Sequence, residues 1–486
     1  MLEGHAGAGP AGRSGAAMGT VVDIHCHTFN GDDLPIRGFV HKVALRDADG
    51  LPARGAIAAL VDRIVQAGAP GHAEETRRLD TLLLGSRSGF PESLSSARVP
   101  DLDAVVAERV AQLQASDPEL LAAARAEAGG EVVTTEGLRD LPALVRRGIA
   151  FGALFTQHRW ENTVHLVRQF PSVDLFTPML VDLGLGVGDP PETTVREQVE
   201  LQEKISRLSM LGRIPDAPSV RVHPFVGFDP RRQIASENRG DPFTALDRVK
   251  LSVERFGCVG VKLYPPMGFR PLNNATRGGG PVGQDGPHVD RVLRELYTWC
   301  LEQDVPITAH ANSTQGSSKD YDRFSDPADW ATVLAEFPGL HLNLGHFGGT
   351  HTPVGTGWAG QMARLAGTPG GEHLYADVSN HNTRDAGYPR YRDELRALLR
   401  GDGAAMRERV MYGSDWFMLV LLENLDTFLA DQEADHQEPN DDPEGFFGER
   451  ALRFLGFDDP GNRNAQRLLA RYRHYAPHDV PEWLAH

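Results

Sequence analysis

The run Thr20-Val21-Val22-Asp23-Ile24-His25-Cys26-His27 decides the fold. It is short, mostly apolar, and breaks off in two histidines at alternate positions. The same shape recurs along the chain, as VDLFTPMLVD (173–182), VRVHPFVGFD (220–229), CVGVKLYP (258–265), VPITAHAN (305–312), LHLNLGHF (340–347), LYADVS (374–379) and RVMYGSD (409–415). Apolar runs this short, bounded by Gly, Pro and Asp, suit parallel strands buried on both faces. Between them lie stretches with helical periodicity, such as 241–257, 289–304 and 328–339. Strand followed by helix, repeated around one sheet, predicts an α/β fold of the (β/α)8 TIM-barrel type.

Such a barrel needs about 250 residues, and the chain has 486. Most of the surplus falls after the first strand. The expected division is a disordered tail over 1–19, the barrel over 20–31 and 151–486, and a mainly helical insertion over 32–150. An insertion after a barrel strand sits at the face where loops build sites, so this one reads as a lid or as a peripheral decoration. The tail is rich in Gly and Ala, lacks the apolar run of a signal peptide, and leaves Met18 as an alternative start.

Basic residues number 49 against 66 acidic ones, a formal charge of -17. That balance argues against nucleic acid or an anionic membrane as partner, because phosphate binding needs a positive footprint. A small-molecule partner remains, since such a ligand senses only its own pocket. No stretch of about 18 apolar residues suggests a membrane span. Cys26, Cys258 and Cys300 are too few and too scattered for a disulfide framework, which points to a reducing cytoplasm.

His25 and His27 point to one side of their strand and Cys26 to the other, because strand side chains alternate. Two imidazoles on one face at a barrel mouth can chelate one metal ion. Buried without a ligand, they would have to be satisfied as ordinary core histidines. His310, His346 and Asp415 each close a later strand, at the end where barrel enzymes place reacting groups. Singly, each has an equally good structural reading as a core histidine or a helix cap. Together the five have the composition of a catalytic zinc site, a few N and O ligands with room for a water.

HxH on the first strand, His on the fifth and sixth and Asp on the eighth resemble the amidohydrolase superfamily. GSDWF (413–417), GVKLYPP (260–266) and NRNAQRLLARY (462–472) look like its amidohydrolase-2 branch, which includes α-amino-β-carboxymuconate-semialdehyde decarboxylase. The resemblance covers 20–31 and 151–475 and leaves the insertion out. It implies that His25, His27, His310 and Asp415 ligate one divalent ion, zinc by preference, with His346 beside the bound water or the substrate. A divalent ion lowers the pKa of bound water from 15.7 towards about 7. Asp415 would then act as ligand and base together, and a neutral His346 would donate to a developing oxyanion.

Lys262 closes the fourth strand. In two-metal relatives a carbamylated lysine there bridges the ions; in a one-metal site Lys262 is a cation for an anionic substrate group or the partner of a nearby acid. Arg270, in the following loop, is a second candidate for substrate binding. Asp182, His223, Asn312, Asn380 and His381 read as pocket-lining or structural, Trp416 and Phe417 as an apolar wall. His341 begins its strand and belongs at the opposite end.

The activity these features imply is hydrolysis of a C–N or C–O bond, in an amide, lactone or ester of a small, anionic molecule, by a metal-activated water. A metal-dependent, non-oxidative decarboxylase of a small carboxylic acid uses the same shell. A phosphoesterase would need further His and Glu and a closing DxH, whereas Trp416 and Phe417 follow Asp415. A non-catalytic metal-binding barrel would need a missing ligand position. The resemblance also implies a homodimer.

Overall fold

The structure is a computed structural model that describes residues 19–39, 42–43, 54–66, 68–85, 102–127, 143–188, 191–277, 285–313, 315–350, 352–436 and 441–484. The expected tail lies outside these residues except for Gly19, as do parts of the 32–150 segment.

Among the described residues nine strands form, all parallel: β1 (Val22–Cys26), β2 (Leu175–Pro178), β3 (Arg221–Val222), β4 (Phe225–Phe228), β5 (Gly260–Leu263), β6 (Ile307–Asn312), β7 (Leu342–Gly348), β8 (Leu374–Asp377) and β9 (Val410–Met411). They pair in the orders β1-β2-β3 and β4-β5-β6-β7-β8-β9. β3 and β4 share one position around the barrel, interrupted at His223-Pro224, because proline carries no amide hydrogen for the ladder. A Met179–Phe225 bridge and the Leu180 N–H to Phe225 carbonyl bond (3.0 Å) join the first group to the second. The Ile24 N–H reaches the Tyr412 carbonyl (3.3 Å) and the Asp415 N–H reaches the His25 carbonyl (2.7 Å), closing the ring. The result is an eight-position (β/α)8 barrel, with every strand falling on one of the eight runs, β7 passing the end of its run by one residue.

Local sequence sets the helices that follow. Asp229 and Asp326 each accept from an amide of the next turn and are followed by proline at the first helical position, starting Pro230–Arg239 and Pro327–Glu336. Thr244 makes a reciprocal cap with Asp247 at the head of Ala245–Arg255.

The two ends of the barrel are covered differently. At the N-terminal ends of the strands, His341 Nδ1 meets the Phe454 carbonyl (2.9 Å) and Asn464 Nδ2 donates to the Val259 carbonyl (2.8 Å). The C-terminal helices therefore seal that end. The inserted region adds helices Arg54–Val65, His72–Leu84, Leu102–Ser116 and Pro118–Glu127. Of these, His72–Leu84 lies along the flank of the barrel, with His72 beside Glu200 (3.5 Å) and the Leu82 and Leu83 carbonyls on Arg213 Nη1 (2.6 and 2.8 Å). The next helix, Ala143–Phe155, runs across residue 150, and its buried face joins the main core together with Leu60, Val61 and Ile64. Arg159, fully buried, pins this region: its Nε and Nη2 donate to Asp33 (2.8 and 2.6 Å) and its Nη1 to Glu75. One cation paired with two acids there avoids the cost of an isolated buried charge.

Candidate metal centre

The site is built where strands run out. Asp23, His25 and His27 share one face of β1, while Cys26 lies in the hydrophobic core. His27 Nε2 stands 3.2 Å from Asp415 Oδ1, and His25 Nε2 stands 4.0 Å from the same oxygen. One ligand atom from each of His25, His27 and Asp415 lies within 4.8 Å of the others, and all three residues are buried. Glycines make the room. A Cβ on Gly345 would come 2.8 Å from His25 Cε1, and one on Gly413 would come 3.0 Å from His25 Cβ.

Hydrogen bonds fix which way each ring faces. His25 Nδ1 bonds to Asp377 Oδ2 (3.0 Å), and His25 Nε2 faces Lys262 Nζ (2.9 Å). An ammonium only donates, so His25 Nε2 carries the lone pair and Nδ1 the hydrogen. His27 Nδ1 bonds to the Met179 carbonyl (2.9 Å), which likewise leaves its Nε2 lone pair facing Asp415. Burial, with help from Lys262, lowers the His25 pKa to about 4, so the ring is neutral. For Asp415, burial pushes upward, yet the close imidazoles of His27, His346 and His25 hold it below the ordinary carboxylate range. Imidazole nitrogens turned towards an ionised carboxylate are the donor set a divalent ion such as zinc takes. The residues present fit the group.

His310 and His346 stand beside this trio. His346 Nε2 and His310 Nδ1 share one hydrogen bond (3.1 Å), and His346 Nδ1 contacts Ser379 Oγ (2.9 Å) and the Ser379 carbonyl (3.2 Å). Tyr264 stacks on the His310 ring at 4.3 Å. Both histidines line the same cavity as His25, His27 and Asp415. The close trio, however, does not include His310, which meets it through His346. Neither nitrogen of His346 is idle in this arrangement, so a donation from it to substrate requires exchange of one of these bonds.

A second close group, His25, His346 and Asp377, has another character. Asp377 accepts from His25 Nδ1, Asn343 Nδ2 (2.7 Å), the His346 amide (3.1 Å) and the Ser379 hydroxyl. Burial opposes its charge, but His25, His346 and Ser379 keep its carboxyl well below the usual range. It is a brace behind the imidazoles. Sequence reasoning missed Asp377 and Ser379, although the apolar run LYADVS ends in two polar groups two residues apart. Asp23 was missed too: it accepts from Ser414 N (3.0 Å), Ser414 Oγ (2.6 Å) and His25 N (3.2 Å), and burial raises its carboxyl to about 7.

Backbone strain concentrates at the same place. His346 (φ 68°), Phe347 (φ 42°), Asp415 (φ 54°) and Phe417 (φ 97°) adopt positive φ without being glycine. Such conformations cost about 1–3 kcal/mol each and cluster at functional sites.

Lys262 lies where the sequence places it, fully buried, and burial lowers its pKa to about 8. Arg270 does not reach the cavity. Its guanidinium pairs with Asp329 (2.9 Å) and lies over the Phe324 ring, so its charge is tied up outside. Asp182 is held by Arg232 Nε (2.8 Å), and His223 by Ser206 Oγ (3.0 Å) and the Tyr472 hydroxyl (2.9 Å). His381 sits behind the site, its Nε2 on the His346 carbonyl (2.9 Å). Phe417 packs with Phe29, Phe151 and Phe155 under the inserted helices. Phe29, Phe39, Val43, Val181, Leu183 and Met418 form the apolar wall opposite the histidines. Phe39 and Val43 belong to the inserted segment, so that segment covers the centre. No helix among the described residues is long and apolar enough to cross a membrane, and all three cysteines are free and buried.

A family model described as amidohydrolase matches residues 226–457. No curated protein matches the sequence significantly. Among solved structures, an amidohydrolase from Burkholderia multivorans is 14% identical, with 63% of this chain and 92% of that one covered and a TM-score of 0.39. That protein also has a zinc-bound crystal form. A protein provisionally assigned as a metal-dependent hydrolase from Lactobacillus casei is 14% identical, with 90% and 95% covered and a TM-score of 0.37. An amidohydrolase from Mycobacterium avium subsp. paratuberculosis is 16% identical, with 66% and 78% covered and a TM-score of 0.33.

Proposed function

We propose, from the premise that this chain belongs to the amidohydrolase family, that its barrel mouth is a metal-dependent hydrolytic centre acting on an amide, lactone or ester of a small molecule. The observation that carries this reading is the buried trio His25, His27 and Asp415, two imidazoles with a nitrogen turned inward and an ionised carboxylate within 4.8 Å of one another. A divalent ion, zinc by preference, would be held by these three and would supply Lewis acidity together with a water of pKa near 7.

The chain's own groups then have distinct tasks. Asp415, kept ionised, is placed to take a proton from the attacking water on a carboxylate oxygen. Asp377 and the Met179 carbonyl hold the ring hydrogens of His25 and His27 outward, so that both Nε2 lone pairs face inward. Lys262 offers a buried cation for an anionic group of the substrate. The wall of Phe29, Phe39 and Leu183 excludes water and strengthens each electrostatic contact inside.

One observation favours a second reading. A buried lysine beside the proposed ligands also suits a substrate carboxylate, as a non-oxidative decarboxylase requires. The test is a parallel assay of purified protein with bound metal quantified. Amide, lactone and ester panels are followed for acid release, and aromatic and enol carboxylic acids for carbon dioxide. Hydrolysis that disappears on chelation and returns with zinc supports the first reading; carbon dioxide release with the same dependence replaces it by the second. Turnover unaffected by chelation overturns both.

A further inference from the structure

Asp23 is fully buried and has no part in the chemistry proposed above; the same holds for Ser414, buried against it. Neither side chain lines the cavity of His25, His27 and Asp415. Asp23 nevertheless lies on the face of β1 that carries the two histidines, because alternate strand positions point the same way. Its carboxylate takes three donors. Oδ1 accepts from the Ser414 amide (3.0 Å) and the His25 amide (3.2 Å), and Oδ2 accepts from the Ser414 hydroxyl (2.6 Å). A carboxylate has room for that many, whereas a carboxamide offers a single oxygen. Ser414 passes the hold along, since its Oγ accepts from the Trp416 amide (2.9 Å).

Asp415 therefore stands between two residues that are bound to Asp23, one directly and one through a hydroxyl. Its own φ is 54°. A residue other than glycine keeps this left-handed conformation only where its surroundings enforce it. β9 ends at Met411, so the Ser414 amide is tied by a side chain and not by a strand ladder. Two backbone bonds complete the clasp: the Asp415 N–H to the His25 carbonyl (2.7 Å) and the His27 N–H to the Trp416 carbonyl (3.1 Å). These bonds run within the turn, or to the same short stretch of chain that supplies both histidines of the trio.

We infer that Asp23 and Ser414 are positioning residues, which lock the turn 414–417 onto β1 and so set where the Asp415 carboxylate meets the nitrogens of His25 and His27. The inference rests on reading the trio as a metal centre, but the placement itself can be tested without the metal.

Ser414→Ala removes the hydroxyl that joins Asp23 to Trp416. Asp23→Asn is the milder change and carries the test if Ser414→Ala does not fold. Ser209→Ala is the control, because its hydroxyl is also fully buried, accepts from the Val222 amide (3.0 Å) and donates to the Ser206 carbonyl (2.7 Å), yet lies outside the cavity. The probe is cobalt(II), whose visible spectrum reports both affinity and coordination geometry. Ser414→Ala is expected to weaken cobalt binding about tenfold and to change the spectrum, and Asp23→Asn to weaken it about threefold. Ser209→Ala should stay within about twofold at a comparable loss of melting temperature. In metal-free crystals of Ser414→Ala, the Asp415 carboxylate should lie about 1 Å or more from its wild-type place beside His27. The inference is overturned if both site variants keep the wild-type affinity and spectrum, if Ser209→Ala weakens binding as much as they do, or if Asp415 is unmoved in the crystals. Wild-type protein that takes up no cobalt would sink the metal reading instead, and the metal-free crystals would still decide the positioning.

Discussion

Polar side chains punctuate both halves of this barrel, and the halves differ in what those side chains still have to offer. Along the second to fourth strand positions each is closed off by a partner: Asp182 by Arg232, His223 by Ser206 and Tyr472, and Arg270, beyond the fourth, by Asp329. Around β1, β8 and β9 the outer ring nitrogens are equally well held, but His25 Nε2, His27 Nε2 and an oxygen of Asp415 face one another. Lone pairs converging in a buried, strained corner are what a cation needs. Position at a strand end is shared by both sets; converging lone pairs, that of His25 met by Lys262 Nζ (2.9 Å), belong to one.

The harshest way to break that contrast is Asp415→Asn. It keeps the shape and removes the negative charge. Purified wild-type protein is expected to carry a divalent ion through dialysis, and the variant to lose it. Turnover should fall by about a thousandfold or more. Elemental analysis and the hydrolysis panel check this. A variant that keeps both its metal and its rate would make the converging half no more functional than the closed one.

A finer test touches the brace alone. Asp377→Asn retains one acceptor oxygen but not the charge that fixes the His25 ring. Metal affinity, measured by competition with a chromogenic chelator, should drop about 10- to 100-fold, as is usual when the residue behind a ligating histidine is altered. The rate at saturating metal should recover much of its value. An unchanged affinity would show that His25 is oriented by packing between Gly345 and Gly413 instead.

How much of this was legible in the sequence follows from range of interaction. The eight runs are local patterns, so the barrel and its order could be read directly. HxH is local as well, because alternation along one strand places both rings. The brace was not legible: Asp377 meets His25 across 352 residues of chain, and nothing in LYADVS announces which neighbour it faces. Arg270 failed for the converse reason. Its place after the fourth strand suggested the mouth, but Asp329 on the helix Pro327–Glu336 is buried and demanded a cation. The covering role of Phe39 and Val43 was likewise invisible, since hydrophobicity marks burial without saying against what.

The closed half makes its own prediction, in acid. Burial lowers the His223 pKa to about 3, whereas in the unfolded chain it is about 6.5. Between those values the unfolded state binds the proton and the native state does not. Stability is therefore lost as pH falls below about 6.5, by about 2 kcal/mol at pH 5 from this group. His25, with its pKa lowered to about 4, acts in the same direction, so the comparison is one of slopes. His223→Gln, in urea unfolding at pH 7 and pH 5, should show a shallower pH dependence than the wild type. Equal slopes would mean that His223 is protonated in the native state and that its partners, Ser206 and Tyr472, do not hold it neutral.

The gentlest change separates the halves most cleanly. Arg270→Ala removes a cation that stacks on Phe324 and pairs with the buried Asp329, but Arg277 pairs with the same carboxylate. Because Asp329 keeps a partner, the cost should be about 1 kcal/mol in urea unfolding, well short of the 3–5 kcal/mol of an abandoned buried charge. Metal affinity and KM should stay at wild-type values, since the guanidinium lies outside the cavity lined by His25, His310 and Lys262. A rise in KM of tenfold or more, with stability untouched, would move Arg270 from the closed half to the open one and return it to the substrate.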